Sequence, residues 1–146
     1  MKNTVMILLA GLISLISCNK ENNHQDQELV RVVFDPGNLK FISTSLHPKK
    51  QTMSALYGNE KAVESLSKET GKPKEGTLMK LVTWRYHDNP QYFGGKITGE
   101  LVSVETIQTD DKGNTSYKIE DDAKNTIPDK EERIQYFMSY HPVSRP

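Results

Sequence analysis

The sequence predicts an α+β fold, an antiparallel β-sheet packed with flanking α-helices. Three observations carry this expectation. Short apolar or alternating runs are punctuated by Gly, Asn and Asp turns; two segments have helical spacing; and no strand–helix–strand repeat appears of the kind a parallel sheet needs.

Leu29 to Phe34 is apolar and β-branched and reads as a first strand. Asp35-Pro36-Gly37-Asn38 reads as a turn, with Pro presetting φ at the second position and Gly permitting φ > 0 at the third. Leu39 to Ser45 reads as a second strand and Thr52 to Tyr57 as a third, ended by Gly58-Asn59. Glu60 to Glu69 places Ala62, Val63 and Leu66 at helical spacing, and Gly71 to Gly76 is a loop. Thr77 to Tyr86 is the clearest strand of the chain. One face carries Leu78, Lys80, Val82, Trp84 and Tyr86, and the other Met79, Leu81, Thr83 and Arg85.

Leu101 to Gln108 and Thr115 to Glu120 form a predicted hairpin around Asp110-Asp111-Lys112-Gly113-Asn114. That acidic turn lacks the ligand run and closing Glu of an EF-hand calcium loop. The last element is a helix. Pro128 suits its first turn, Asp129, Glu131 and Glu132 complement the N-terminal dipole, and Ile134, Phe137, Met138 and His141 form one apolar face before Pro142 stops it.

The N-terminus predicts location. Met1-Lys2-Asn3 is a short positive start, Val5 to Ile16 is almost wholly apolar, and Leu15-Ile16-Ser17-Cys18 reads like a bacterial lipobox. Twelve apolar-dominated positions fall short of the roughly 20 a spanning helix needs. The expectation is a lipoprotein signal peptide over 1–17, with Cys18 as the lipid-attachment residue. One acyl chain holds a protein only marginally, so a diacylglyceryl thioether with an N-acyl (palmitate-type) chain is the durable arrangement. The membrane is thus a partner through the anchor. The expected location is the periplasmic or outer side of the cell envelope, the outer membrane being favoured. Asn19-Lys20-Glu21 partly resembles a charged export signal of surface lipoproteins and also reads as plain linker.

Removing 1–17 leaves 129 of the 146 residues. Residues 18–28 read as an anchored polar tether, and 29–146, 118 residues, suit a single domain with one core. Nineteen basic and nineteen acidic residues cancel without a basic stripe, so nucleic acid is not an expected partner. With Cys18 acylated, the mature chain has no thiol for a disulfide, a thiolate metal site or a Cys nucleophile.

Candidate chemistry is sparse. His24 lies in the tether and His47 precedes Pro48 in a Lys-rich loop, where a solvated role is the default. His87 falls in the turn-like His87-Asp88-Asn89-Pro90. His141 ends the last helix, where it reads as a C-terminal cap. No pair has metal-ligand spacing, and no nucleophile elbow, P-loop or dinucleotide fingerprint appears. Gly94-Gly95 permits a bulge or a close backbone approach. Trp84, Tyr86, Tyr92 and Phe93 read as a pocket wall or as core. No catalytic residue is assigned, and the chain reads as a non-enzyme more readily than as an enzyme.

The stretches Thr52-Met53-Ser54-Ala55-Leu56-Tyr57-Gly58-Asn59-Glu60-Lys61-Ala62-Val63, Glu75-Gly76-Thr77 through Trp84, Tyr92-Phe93-Gly94-Gly95-Lys96-Ile97-Thr98-Gly99 and Phe137 to Arg145 resemble the cytochrome P-460 family. The resemblance implies an α+β fold and a homodimer. Members with haem attach it through C-x-x-C-H, and some cross-link a strand lysine to it. This chain lacks both cysteines of that motif, and the position of the cross-linking lysine is Leu81. Lys80 is one residue short, which in a strand means the opposite face. The resemblance therefore implies fold and pocket without covalent haem or its redox chemistry. Two roles compete: a tethered module for a small ligand, non-covalent haem being one version, and a structural or protein-interaction lipoprotein with no ligand.

Overall fold

The computed structural model describes residues 31–68, 71–121 and 129–143. The signal peptide 1–17, Cys18, His24 and the tether fall outside the described residues, as do Leu29, Pro128 and Arg145.

Five strands form one antiparallel sheet in the order of the sequence: β1 (Lys40–His47), β2 (Thr52–Gly58), β3 (Leu78–Asp88), β4 (Lys96–Thr109) and β5 (Thr115–Asp121). Among the described residues two helices accompany it, α1 (Glu60–Ser67) and α2 (Lys130–Met138). The expected α+β class and antiparallel sheet are present. Among the described residues no helix is long and apolar enough to cross a membrane.

Both sheet faces are packed. On the helix side Ile42, Leu56, Met79, Leu81 and Ile107 meet Ala62 and Leu66 of α1 and Phe137 of α2. On the far side Ala55, Val82 and Trp84 meet Val32, Phe34, Phe41 and Leu101. The strict alternation along β3 sends Met79 and Leu81 one way and Val82 and Trp84 the other, as period-2 geometry requires.

Asn59 starts α1. Its side-chain oxygen accepts the backbone N–H groups of Ala62 (3.0 Å) and Leu78 (3.2 Å), and its amide donates to the Gly76 carbonyl (2.7 Å). One side chain thus caps a helix and ties it to β3. Asp129 caps α2 by accepting from the N–H of Glu132 at 2.9 Å.

Four expectations need correction. Residues 31–34 pair in no strand; they run extended over the far face, with Val32 and Phe34 packed inward. Their backbone carries one described tie to the sheet, the Thr98 hydroxyl donating to the Val32 carbonyl at 3.2 Å. The turn that follows lies one residue later than expected, closed from Leu39 N–H to the Pro36 carbonyl, so Gly37, at φ 62°, takes its second position rather than its third. β4 begins at Lys96, five residues ahead of Leu101, and Gly94-Gly95 serve the loop before it. Finally, α2 ends at Met138, so His141 lies beyond it, exposed, neither on its apolar face nor capping it. Tyr140, 7 % exposed, fills the place expected of His141.

Bulges shape the sheet. Ile42 is the extra residue between the Phe41 and Ser43 pairings of β1. Its carbonyl accepts from Val143 N–H at 2.9 Å, docking the chain after α2 on that edge. Val102 is the extra residue of β4 between Leu101 and Ser103.

Candidate cleft on the helix face

α2 covers only part of the helix-side sheet face. Beyond it the inward positions change from hydrocarbon to hydroxyl. Ser54, Thr83 and Ser103 stand opposite one another on β2, β3 and β4, so period-2 alternation sets three hydroxyl residues in one row across the sheet. Ser54 and Thr83 share a hydrogen bond of 2.8 Å. A cleft of about 330 Å³ opens over this row, floored by Leu81 and Val102 and walled by His47, Lys50, Arg133 and Tyr136.

At its inner side sits a buried ion pair. Glu105 faces inward from β4 with 5 % exposure. Arg133 of α2 donates to it twice, Nε to Oε2 and Nη2 to Oε1, both at 2.7 Å. Tyr117 of β5 donates its hydroxyl to Oε2 at 2.8 Å. The carboxylate therefore accepts three bonds, which offsets its desolvation. Burial, and then the adjoining carboxylate, push the Tyr117 phenol well above its ordinary range. Burial works against the charge of Arg133, but the bond from Glu105 holds its pKa above the usual value. The guanidinium also lies 4.4 Å from the Tyr136 ring centre, in cation–π range.

A second network ties α2 to β1. His47 Nε2 and the Tyr136 hydroxyl are 2.9 Å apart, the Tyr136 and Tyr140 hydroxyls 3.1 Å, and Tyr140 and Ser45 2.7 Å. Burial raises the pKa of Tyr140. This chain of groups fixes the His47 ring and the Tyr136 hydroxyl at the cleft wall.

A larger depression of about 690 Å³ lies at the opposite sheet end, between the turns at Gly76 and Gly113. It is walled by Lys61, Lys74, Glu75 and Asp111; the buried Ser65 and Thr77 hydroxyls behind it bond to each other and to the Lys61 and Lys74 backbone and do not line it, so it is the weaker candidate.

The histidines separate. His47, expected in a solvated loop, ends β1 and joins the cleft. His87 is an exposed strand residue of β3 whose ring lies against Gly99. The aromatic pocket wall does not assemble. Trp84 is 4 % exposed on the far face, while Tyr92 and Phe93 are 69 % and 111 % exposed at a loop tip. Trp84 Nε1 is buried without a partner among the described residues. Sequence reasoning missed Glu105, Tyr117, Arg133, Tyr136 and Tyr140. One signal was present: Glu105 shares its strand face with Ile107 and Ser103, an inward position for a carboxylate.

No family model and no curated protein matches this chain.

The lining defines what the cleft can do chemically. Hydroxyls, an imidazole and two cationic side chains suit hydrogen bonding to a small polar group, above all an anion. No serine is hydrogen-bonded to His47 among the described residues, so a nucleophile–base pair is not formed. No group of three His, Cys, Asp or Glu residues there is placed to hold a metal ion. The lining of this cleft does not fit haem: Leu81 and Val102 supply little hydrocarbon wall for a porphyrin, and His47 Nε2 is hydrogen-bonded to Tyr136. Covalent attachment through two thioethers is outside the reach of a chain with one cysteine.

Proposed function

We propose that this protein is an extracytoplasmic lipoprotein, held to a membrane through acylated Cys18, whose cytochrome P-460-like domain binds a small polar ligand. The binding role is carried by the cleft over Ser54, Thr83 and Ser103, with its fixed imidazole and flanking cations. Lys50, Thr52 and Ser103 line it without a side-chain partner among the described residues, so their hydrogen-bonding capacity is open to a ligand. An anionic group suits this lining, because Glu105 is already matched by Arg133 and Lys50 adds an unmatched positive charge.

Leu81 marks where this chain departs from the family's pattern. It lines the cleft at the position where the family's cross-linking lysine falls, while Lys80 faces the other way, 6.0 Å from the Phe34 ring centre. The reading keeps the fold and the pocket and leaves out haem chemistry.

A second reading has its own support. The far face carries half-buried Phe41, Met53, Tyr57, Leu101 and Val104, which suit contact with a protein partner.

Two measurements test the proposal. Peptide mapping of full-length protein from its producing cells should find Cys18 as the first residue, bearing diacylglycerol; an unmodified Cys18 would overturn the tether. Hemin titration should give no saturable Soret shift; saturation would overturn the choice of a polar ligand.

A further inference from the structure

The β3–β4 hairpin runs past the rest of the sheet. Thr52, the first residue of β2, stands opposite Arg85, and three more residues of β3 follow before the loop. At the rise of a strand this is an overhang of about 10 Å. Its tip, residues 89–95, is internally bonded. Asn89 N–H donates to the Gly95 carbonyl (2.8 Å), Gly95 N–H to the Tyr92 carbonyl (2.9 Å) and Gln91 N–H to the Asn89 side chain (2.9 Å). These bonds hold the Tyr92 and Phe93 rings in solvent at 69 % and 111 % exposure. A fixed loop that exposes two adjacent aromatic residues is uncommon on a surface that meets only water.

Charge at the same end is mainly basic. Lys49 and Lys50 occupy the β1–β2 turn, Arg85 and Lys96 the hairpin base, and Arg31 opens the described chain nearby. The acids there, Glu100 and Asp88, are paired with Arg85 and Lys96. Arg31, Lys49 and Lys50 have no ionic partner among the described residues.

The chain also enters at this end. The Val32 carbonyl is bonded by Thr98, which stands opposite Tyr86 in the hairpin base, whereas Lys40 pairs with Gly58 at the other end of the sheet. Cys18 and Arg31 are separated by twelve residues, whose covalent reach is at most about 45 Å. A linker from Cys18 therefore joins the domain at the end that carries the aromatic tip.

We propose that Tyr92 and Phe93 form a second membrane contact, seated in the headgroup region of an anionic bilayer and flanked by Lys49, Lys50 and Arg31. Aromatic residues favour that interface, and basic residues beside them gain from its negative potential. The contact holds the domain in one orientation on the membrane to which it is tethered. It rests on the lipoprotein reading of Cys18.

The test uses full-length lipidated protein in phosphatidylcholine–phosphatidylglycerol vesicles with brominated acyl chains, which quench tryptophan on contact. Trp84 is buried and supplies the background. Phe93→Trp should add emission that is blue-shifted and quenched about twofold or more. Lys112→Trp, in the turn at the opposite end of the sheet, should add emission that is not quenched. Equal quenching at both positions, or none at Phe93→Trp, would overturn the contact. Intact mass of the same samples separates the two ideas: an acylated chain with an unquenched tip refutes the docking alone, while unacylated Cys18 refutes the tether and this orientation with it.

Discussion

Arg133 of α2 grips Glu105 of β4 through two parallel N–H···O bonds of 2.7 Å, and this pair joins α2 to the strand beside the β5 edge. Glu105 is nearly buried, so removing its partner strands a carboxylate away from water. Arg133→Leu should lower stability by about 3 kcal/mol, at the low end for a buried pair because Arg133 is partly solvated. Pairing it with Glu105→Met should recover most of that loss. Denaturant midpoints of the two variants check both statements.

Alkaline pH should unfold the protein through two tyrosines. The Tyr117 and Tyr140 phenols are held above their ordinary value of 10.0, burial being the first cause for each. A native pKa above the unfolded one stabilises fully while both states keep the proton, below about pH 10. As pH rises further, the unfolded chain releases protons that the native chain retains, so stability falls. Absorbance at the phenolate band should show these two ionising together with loss of near-ultraviolet dichroism. Early, independent ionisation of all tyrosines would contradict the burial.

Gly58 marks a close approach between β2 and α1. A Cβ there would lie 2.6 Å from Ala62 Cβ and 2.7 Å from Ile42 Cδ1. Gly58→Ala should cost about 1–3 kcal/mol by overpacking, read as a drop in the thermal midpoint.

Asn59→Ala removes three hydrogen bonds at the start of α1. A loss of about 1–2 kcal/mol is expected for such a cap. Asn59→Asp should retain the bonds to Ala62 and Leu78 and lose only the one to Gly76, giving a smaller effect in the same denaturation assay.

The fold was largely legible because its signals are local. Alternation along Thr77 to Tyr86 assigned both faces of β3, Gly58-Asn59 marked the end of β2, and Asp110 to Asn114 marked a turn that the structure contains. Leu29 to Phe34 misled because β-branched composition reports burial against a sheet, which Val32 and Phe34 have, without requiring ladder hydrogen bonds. His141 misled because helical spacing continues past the point where Ser139 ends α2. The cleft was hidden for another reason. Ser54, Thr83, Ser103 and Arg133 lie on four elements, and only strand register and the seating of α2 bring them together.

Native mass spectrometry of full-length protein from its producing cells, beside Ser54→Trp, reads whether the cleft holds a ligand. A non-covalent small-molecule adduct is expected on the natural chain and not on Ser54→Trp, whose indole fills the space above Thr83. The same bare mass for both proteins, or an adduct retained by Ser54→Trp, would contradict that expectation.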